Sequence, residues 1–313
     1  MDNFIVAVNA VIPMFFFIAV GLYIKYRNLL TDTEIEHLNN MLFQIFFFVM
    51  LFYTTYTMNI VQTFRPRLII YGACALLTVY VIDFVLVCLF EKQPKRRGAM
   101  IQAIYRSNFV FMGIPMVSNL FGTGEIAVTT MMIAIIVPMY NVLGVFTLEL
   151  FRGGKVKPLN VLINVFKNPM IMGAMIGAIC LFSGVKVPAP ILKPLGQMSN
   201  AISMLALVIL GASFHLSSTS AHLPQLIACV VSRLLIVPAF VLGIGTLYFG
   251  FRGIELMTLV AINCSPSAVA SFTMAQQMDS DASLAGNAVI FSTAFSAITI
   301  CSWILLLKTY GFI

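Results

Sequence analysis

YRSNFVFMGIPMVSNLFG, residues 105–122, and INCSPSAVASFTMAQQMD, residues 262–279, are apolar stretches that each carry a proline with small and polar neighbours near the middle. Proline has no N–H to donate, so Pro115 cannot bond the carbonyl of Phe111, and Pro266 cannot bond that of Ile262. The pattern predicts two helices that kink or break part-way along their length. In hydrocarbon a freed carbonyl is costly, so such breaks must face protein or a wet cavity. A half-helix that begins at the break turns its first N–H groups and its positive dipole end toward the gap, a ready seat for an anion without any buried lysine.

Hydrocarbon is the right setting. Of 313 residues, 60% are hydrophobic and 9% are charged, against about 25% charged in an ordinary soluble domain. Apolar runs of about 20 residues, enough to cross roughly 30 Å of lipid core, fall at 4–24, 38–57, 66–90, 98–121, 126–150, 166–184, 192–213, 223–250, 254–277 and 283–308. The fold class expected is therefore an all-α polytopic membrane protein with ten transmembrane helices. The net charge of +7 resides mainly in basic residues that flank the spans, where they orient the chain, so no nucleic-acid partner is expected. The run Phe4 to Ile24 lacks a basic leader and is followed by Lys25 and Arg27, which favours a retained first helix with its N-terminus outside. Ten basic residues then fall on the cytoplasmic side (Lys25, Arg27, Lys92, Lys95, Arg96, Arg97, Arg152, Lys155, Lys157 and Lys167). The outer side holds Arg65, Arg67, Lys186, Lys193, Arg252 and Lys308. Both termini are placed outside a cell membrane, plasma or inner. Six cysteines sit singly in apolar runs with no metal-ligand spacing and read as small hydrophobes.

Slid against itself by 155 to 156 residues, the chain sets Pro13-Met14 on Pro169-Met170, Gly21 on Gly177, Arg97-Gly98 on Arg252-Gly253 and Asn108 on Asn263. This predicts two repeats, 1–150 and 166–313, joined by a cytoplasmic linker at 151–165. Five spans per repeat is an odd number, so the second copy is inverted, as in many secondary transporters whose substrate site lies on paired discontinuous helices. Around the two prolines, Asn108, Gly113, Asn263, Ser265 and Ser267 supply amides, hydroxyls and close backbone approach. Asn108 precedes Pro115 by two helical turns and is expected on its face of the helix.

Charged groups inside spans call for a reason. Asp83 and Arg106 each lie about 10 to 12 Å deep, reckoned from the helical rise. They either pair with each other, or serve as proton acceptor and anion attractor. Arg233, in span 8, is either a packing cation or part of an anion path. No Ser/His/Asp spacing, HExxH or Walker loop is present, so an enzyme is not expected, nor any metal or cofactor. The rivals to a carrier are a channel, which needs a continuous polar path, and a membrane-embedded enzyme or receptor.

NFVFMGIP at 108–115, NPMIMGAMIGAI at 168–179, VPAPILKPLGQMSNAISMLALVILGASF at 187–214 and AVIPMFFFIAVGLYIKY at 10–26 resemble bacterial members of the auxin efflux carrier family, relatives of the plant PIN transporters. The resemblance runs over nearly the whole chain. It implies ten helices in the bile acid/sodium symporter-like arrangement, with a scaffold domain of spans 1, 2, 6 and 7 and a transport domain of spans 3–5 and 8–10. It further implies that broken spans 4 and 9 cross at Pro115 and Pro266 to bind a small organic anion, an auxin-like monocarboxylate or a malonate-like dicarboxylate. Elevator-type movement and a homodimer in the lipid bilayer belong to the same implication. QIFFFVML at 44–51 lacks the proline usual in the family's second span, and the long loop of plant members is absent.

Overall fold

In a computed structural model the described residues are 2–57, 65–110, 116–117, 126–152, 158–214 and 222–313, with backbone alone for 2–11, 126–127 and 158–162. Gly113 and Pro115 lie outside them. The named elements are all helices: α1 (Asp2–Tyr26), α2 (Asp32–Tyr56), α3 (Pro66–Phe90), α4 (Pro94–Tyr105), α5 (Ile126–Phe151), α6 (Pro158–Lys167), α7 (Pro169–Phe182), α8 (Ala189–Ser213), α9 (Leu223–Leu247), α10 (Gly253–Cys264), α11 (Val269–Gln277) and α12 (Ala282–Thr309). Among the described residues, six helices are long and apolar enough to cross a membrane: α2, α3, most of α5, α8, α9 and α12. Shorter apolar helices are Ile12–Tyr26, α7 and α10.

Several expected spans differ in outline for local reasons. The second begins at Asp32, because Thr31 and Glu34 form a capping box that satisfies the first N–H groups. The sixth is divided at Asn168, whose side chain accepts from the Met170 N–H and starts α7 with Pro169 in its first turn. Part of the expected linker is itself helical, as α6. The ninth is divided in two, α10 and α11.

Two helix pairs form one side of the molecule, α1 along α8 and α2 along α7. Both are backbone-to-backbone contacts made possible by glycine. A Cβ on Gly21 would stand 2.1 Å from the Val208 carbonyl oxygen, and one on Gly173 would stand 2.3 Å from that of Phe48. Such close approach is the usual solution in lipid, where helices gain little hydrophobic drive and associate through packing. The remaining helices pack around α4, α10 and α11, which are buried along most of their lengths. Outward faces are apolar, with Phe90, Phe182 and Leu247 each at least 80% exposed, as suits a multi-pass membrane protein.

Candidate functional site

The two interrupted stretches meet. After Tyr105 the chain leaves helical geometry: Arg106 is extended (φ −89°, ψ 118°). The helix thus ends ten residues before Pro115, at a charge followed by Ser107 and Asn108, whose side chains compete with helical backbone bonding. Asn108 therefore stands in the break and not two turns ahead of it on a helix face. On the other side α10 ends at Cys264, and Ser265 is extended (φ −65°, ψ 147°), as a residue before proline prefers. The two extended segments run antiparallel through one bridge, Ser107 opposite Ser267. Its bonds are Asn108 N–H to Pro266 O (2.8 Å) and Ala268 N–H to Arg106 O (3.1 Å).

Side chains secure the crossing. Ser267 Oγ donates to Ala103 O at 2.6 Å, and the Ser267 N–H donates to Ser292 Oγ at 3.1 Å. Ser265 Oγ donates back to Ala261 O. Ser107 Oγ lies 3.2 Å from the Tyr140 hydroxyl. Asn263 is still inside α10 and donates to Leu259 O, so the two asparagines that the sequence offset superposes are not equivalent in place. With Tyr105 and Tyr140, Asn263 lines a cavity of about 10 Å³, the room of a single water. Asn108 is 7% exposed, and its Nδ2 has no hydrogen-bond partner among the described residues. A buried amide donor without an acceptor is the kind of group that a carboxylate completes.

Arg233 stands behind the crossing, fully buried, on a π-helical turn of α9 at Ser232–Ile236. Its Nε donates to Ser265 O, Nη1 to Ile104 O and Tyr105 O, and Nη2 to Ile262 O and Asn263 O, all between 2.8 and 3.2 Å. A guanidinium has five N–H groups, and here every one meets a main-chain carbonyl. The carbonyl of Ile262, which Pro266 leaves free, is among them. One cation thus caps the negative dipole ends of both α4 and α10, while α11 begins at the crossing with no side-chain cap on its first N–H groups.

Asp83 and Arg106 do not pair. Arg106, 4% exposed, points to Asn141 Oδ1 and Met274 Sδ. Asp83, 8% exposed on α3, has an Oδ2 without a hydrogen-bond partner, and the cation whose field acts on it is Arg233. Tyr140, Asn141, Met274 and Ser292 are absent from the candidates drawn from sequence. Tyr140 and Asn141, two polar groups just past Pro138 in an apolar run, were the available signal. Among the described residues no His, Cys, Asp and Glu cluster could hold a metal ion.

A family model described as a membrane transport protein matches residues 6–304, nearly the whole chain. None of the curated proteins compared with the chain matches it.

Proposed function

Since the chain belongs to the auxin efflux carrier family of membrane transport proteins, we propose that it is a secondary carrier that moves a small organic anion, a carboxylate, by elevator-type alternating access. The observation that carries this reading is the antiparallel pairing of two helix breaks at Ser107 and Ser267. At that pairing, Arg233 neutralises two helix C-termini. At the same crossing, the uncapped start of α11 and the unpartnered Asn108 amide offer N–H groups to an anion. Asn108, Ser265, Pro266 and Ser267 frame the site, with Asn263 behind it and Gly113 and Pro115 assigned to it from the sequence alone.

A pair of five-helix repeats is supported by the partner exchange of α1 with α8 and α2 with α7, which a two-fold relation between the copies produces, and the odd number of spans in each makes the second copy inverted. The twelve-residue lengths of α4 and α10 before their breaks point the same way. On this reading α1, α2, α7 and α8 form the scaffold and the others the moving unit, in a homodimer of the cell membrane with both termini outside.

Asn108→Ala tests the site. Loss of a hydrogen bond to a charged group predicts carboxylate uptake into proteoliposomes lowered about tenfold, with elution profile and thermal midpoint unchanged. Wild-type uptake in that variant removes Asn108 from the site, and ohmic currents through the protein replace the carrier by a channel.

One observation favours a coupled variant of the cycle: the unpartnered, buried Oδ2 of Asp83 is placed to take up a proton or a cation. A symport cycle predicts uptake driven by an inward proton or sodium gradient and a loss of that dependence in Asp83→Asn. Uptake indifferent to both gradients and to the substitution assigns a uniport.

A further inference from the structure

The two buried arginines at the crossing are held in opposite ways. Arg233 has each of its N–H groups on a main-chain carbonyl and shares its surroundings with Asp83. Arg106 has one terminal nitrogen on an amide oxygen, Asn141 Oδ1, and the other on a thioether, Met274 Sδ, a weak acceptor. Among the described residues no carboxylate lies within 4.0 Å of it. The guanidinium lies close against α5 at Gly144, where a Cβ would stand 3.2 Å from Nη1. A guanidinium at membrane depth without a counter-charge is costly, and such groups in spans mark ion or substrate routes. Its planar fork matches a carboxylate in a way that a thioether does not use.

We propose that Arg106 is the counter-charge of the transported anion, a specificity-determining residue that makes the carrier discriminate a carboxylate from an uncharged molecule of the same shape. This rests on the carrier reading above. Substrate takes the place of Asn141 Oδ1 and Met274 Sδ on the guanidinium, so the buried charge is balanced while the anion is aboard. Any carboxylate placed permanently against Arg106 competes with substrate for it. Asn141→Asp does this with no change in side-chain size.

The test uses uptake of benzoate, phenylacetate, malonate and succinate, and of the primary amides of the same acids, by the full chain in proteoliposomes. Wild type is expected to take up at least one acid saturably and its amide at a rate at least tenfold lower. Arg106→Gln and Asn141→Asp are each expected to lower uptake of that acid at least tenfold, with wild-type elution profiles, and Arg106→Lys to keep an intermediate rate. Unchanged acid uptake in Arg106→Gln or Asn141→Asp, or equal wild-type uptake of acid and amide, overturns the counter-charge. Should both variants aggregate, Arg106→Lys decides, since acid uptake at the wild-type rate without the planar fork overturns the assignment. Absence of uptake of every acid by wild type overturns the carrier reading itself, and so is told apart from failure of the Arg106 assignment.

Discussion

Arg233→Met is expected to leave little folded protein, with the remaining fraction melting far below wild type. The substitution keeps an unbranched apolar stem but ends short of the guanidinium and removes every donor. It strands the carbonyls of Ile104, Tyr105, Ile262, Asn263 and Ser265 in an interior where Arg233 itself has no exposed surface. A buried acceptor without a partner costs about 1–3 kcal/mol. These terms are not additive, yet even a fraction of them rivals the roughly 5–15 kcal/mol that separates a folded domain from its unfolded chain. Arg233→Lys brings three donors on a flexible stem in place of five in a fixed fork, so an intermediate melting point is expected. Fluorescence-detected size exclusion and a thermal melt in detergent measure both. A monodisperse Arg233→Met protein with wild-type melting would show that the carbonyls at the breaks find other donors.

Gly21→Val is expected to separate α1 from α8 and to cost more than the 1–3 kcal/mol or so typical of an overpacked core. The added Cβ would lie 2.1 Å from Val208 O, 2.7 Å from the Ala212 nitrogen and 2.9 Å from Gly211 Cα, all backbone atoms that cannot swing aside. Gly211→Val, which approaches Ile18 O at 2.2 Å from the other helix, should behave alike. Gly243→Ala in α9 is the matched control, since nothing lies within 4 Å of its added carbon. An alanine inside a helix is favoured over glycine by roughly 0.5–1 kcal/mol. A melt in which Gly21→Val and Gly243→Ala shift equally would mean that α1 and α8 are not held at backbone contact. If the helix pair is also the static half of an elevator, carboxylate uptake should fall with it.

Much of the frame could be read one residue at a time. Composition alone required the bilayer, because too few charged groups exist to cover a soluble surface. The break at Pro266 and its orphaned Ile262 carbonyl followed from the missing N–H of proline. The end of α4 at Tyr105 is not legible from a proline, because Arg106, Ser107 and Asn108 end the helix without one, while Pro115 itself lies outside the described residues. A pairing across sequence-distant segments holds them extended there, and no local propensity records it. The same limit explains why the amides of Asn108 and Asn263 were matched: letters at a constant offset do not say which of two residues is still inside its helix.

What the sequence determined by itself, then, is the solvent of the protein, its helical build and the existence of two interrupted stretches. Each of these is set by composition or by the chemistry of neighbouring residues. What only the tertiary structure decided is which groups answer the interruptions. Ser107 faces Ser267, Arg233 reaches the carbonyls of both breaks, and Arg106 turns from Asp83 toward Asn141. Those partners lie from 29 to 160 residues apart along the chain. A guanidinium selects among every acceptor brought within its reach, and that set exists only once the helices have packed.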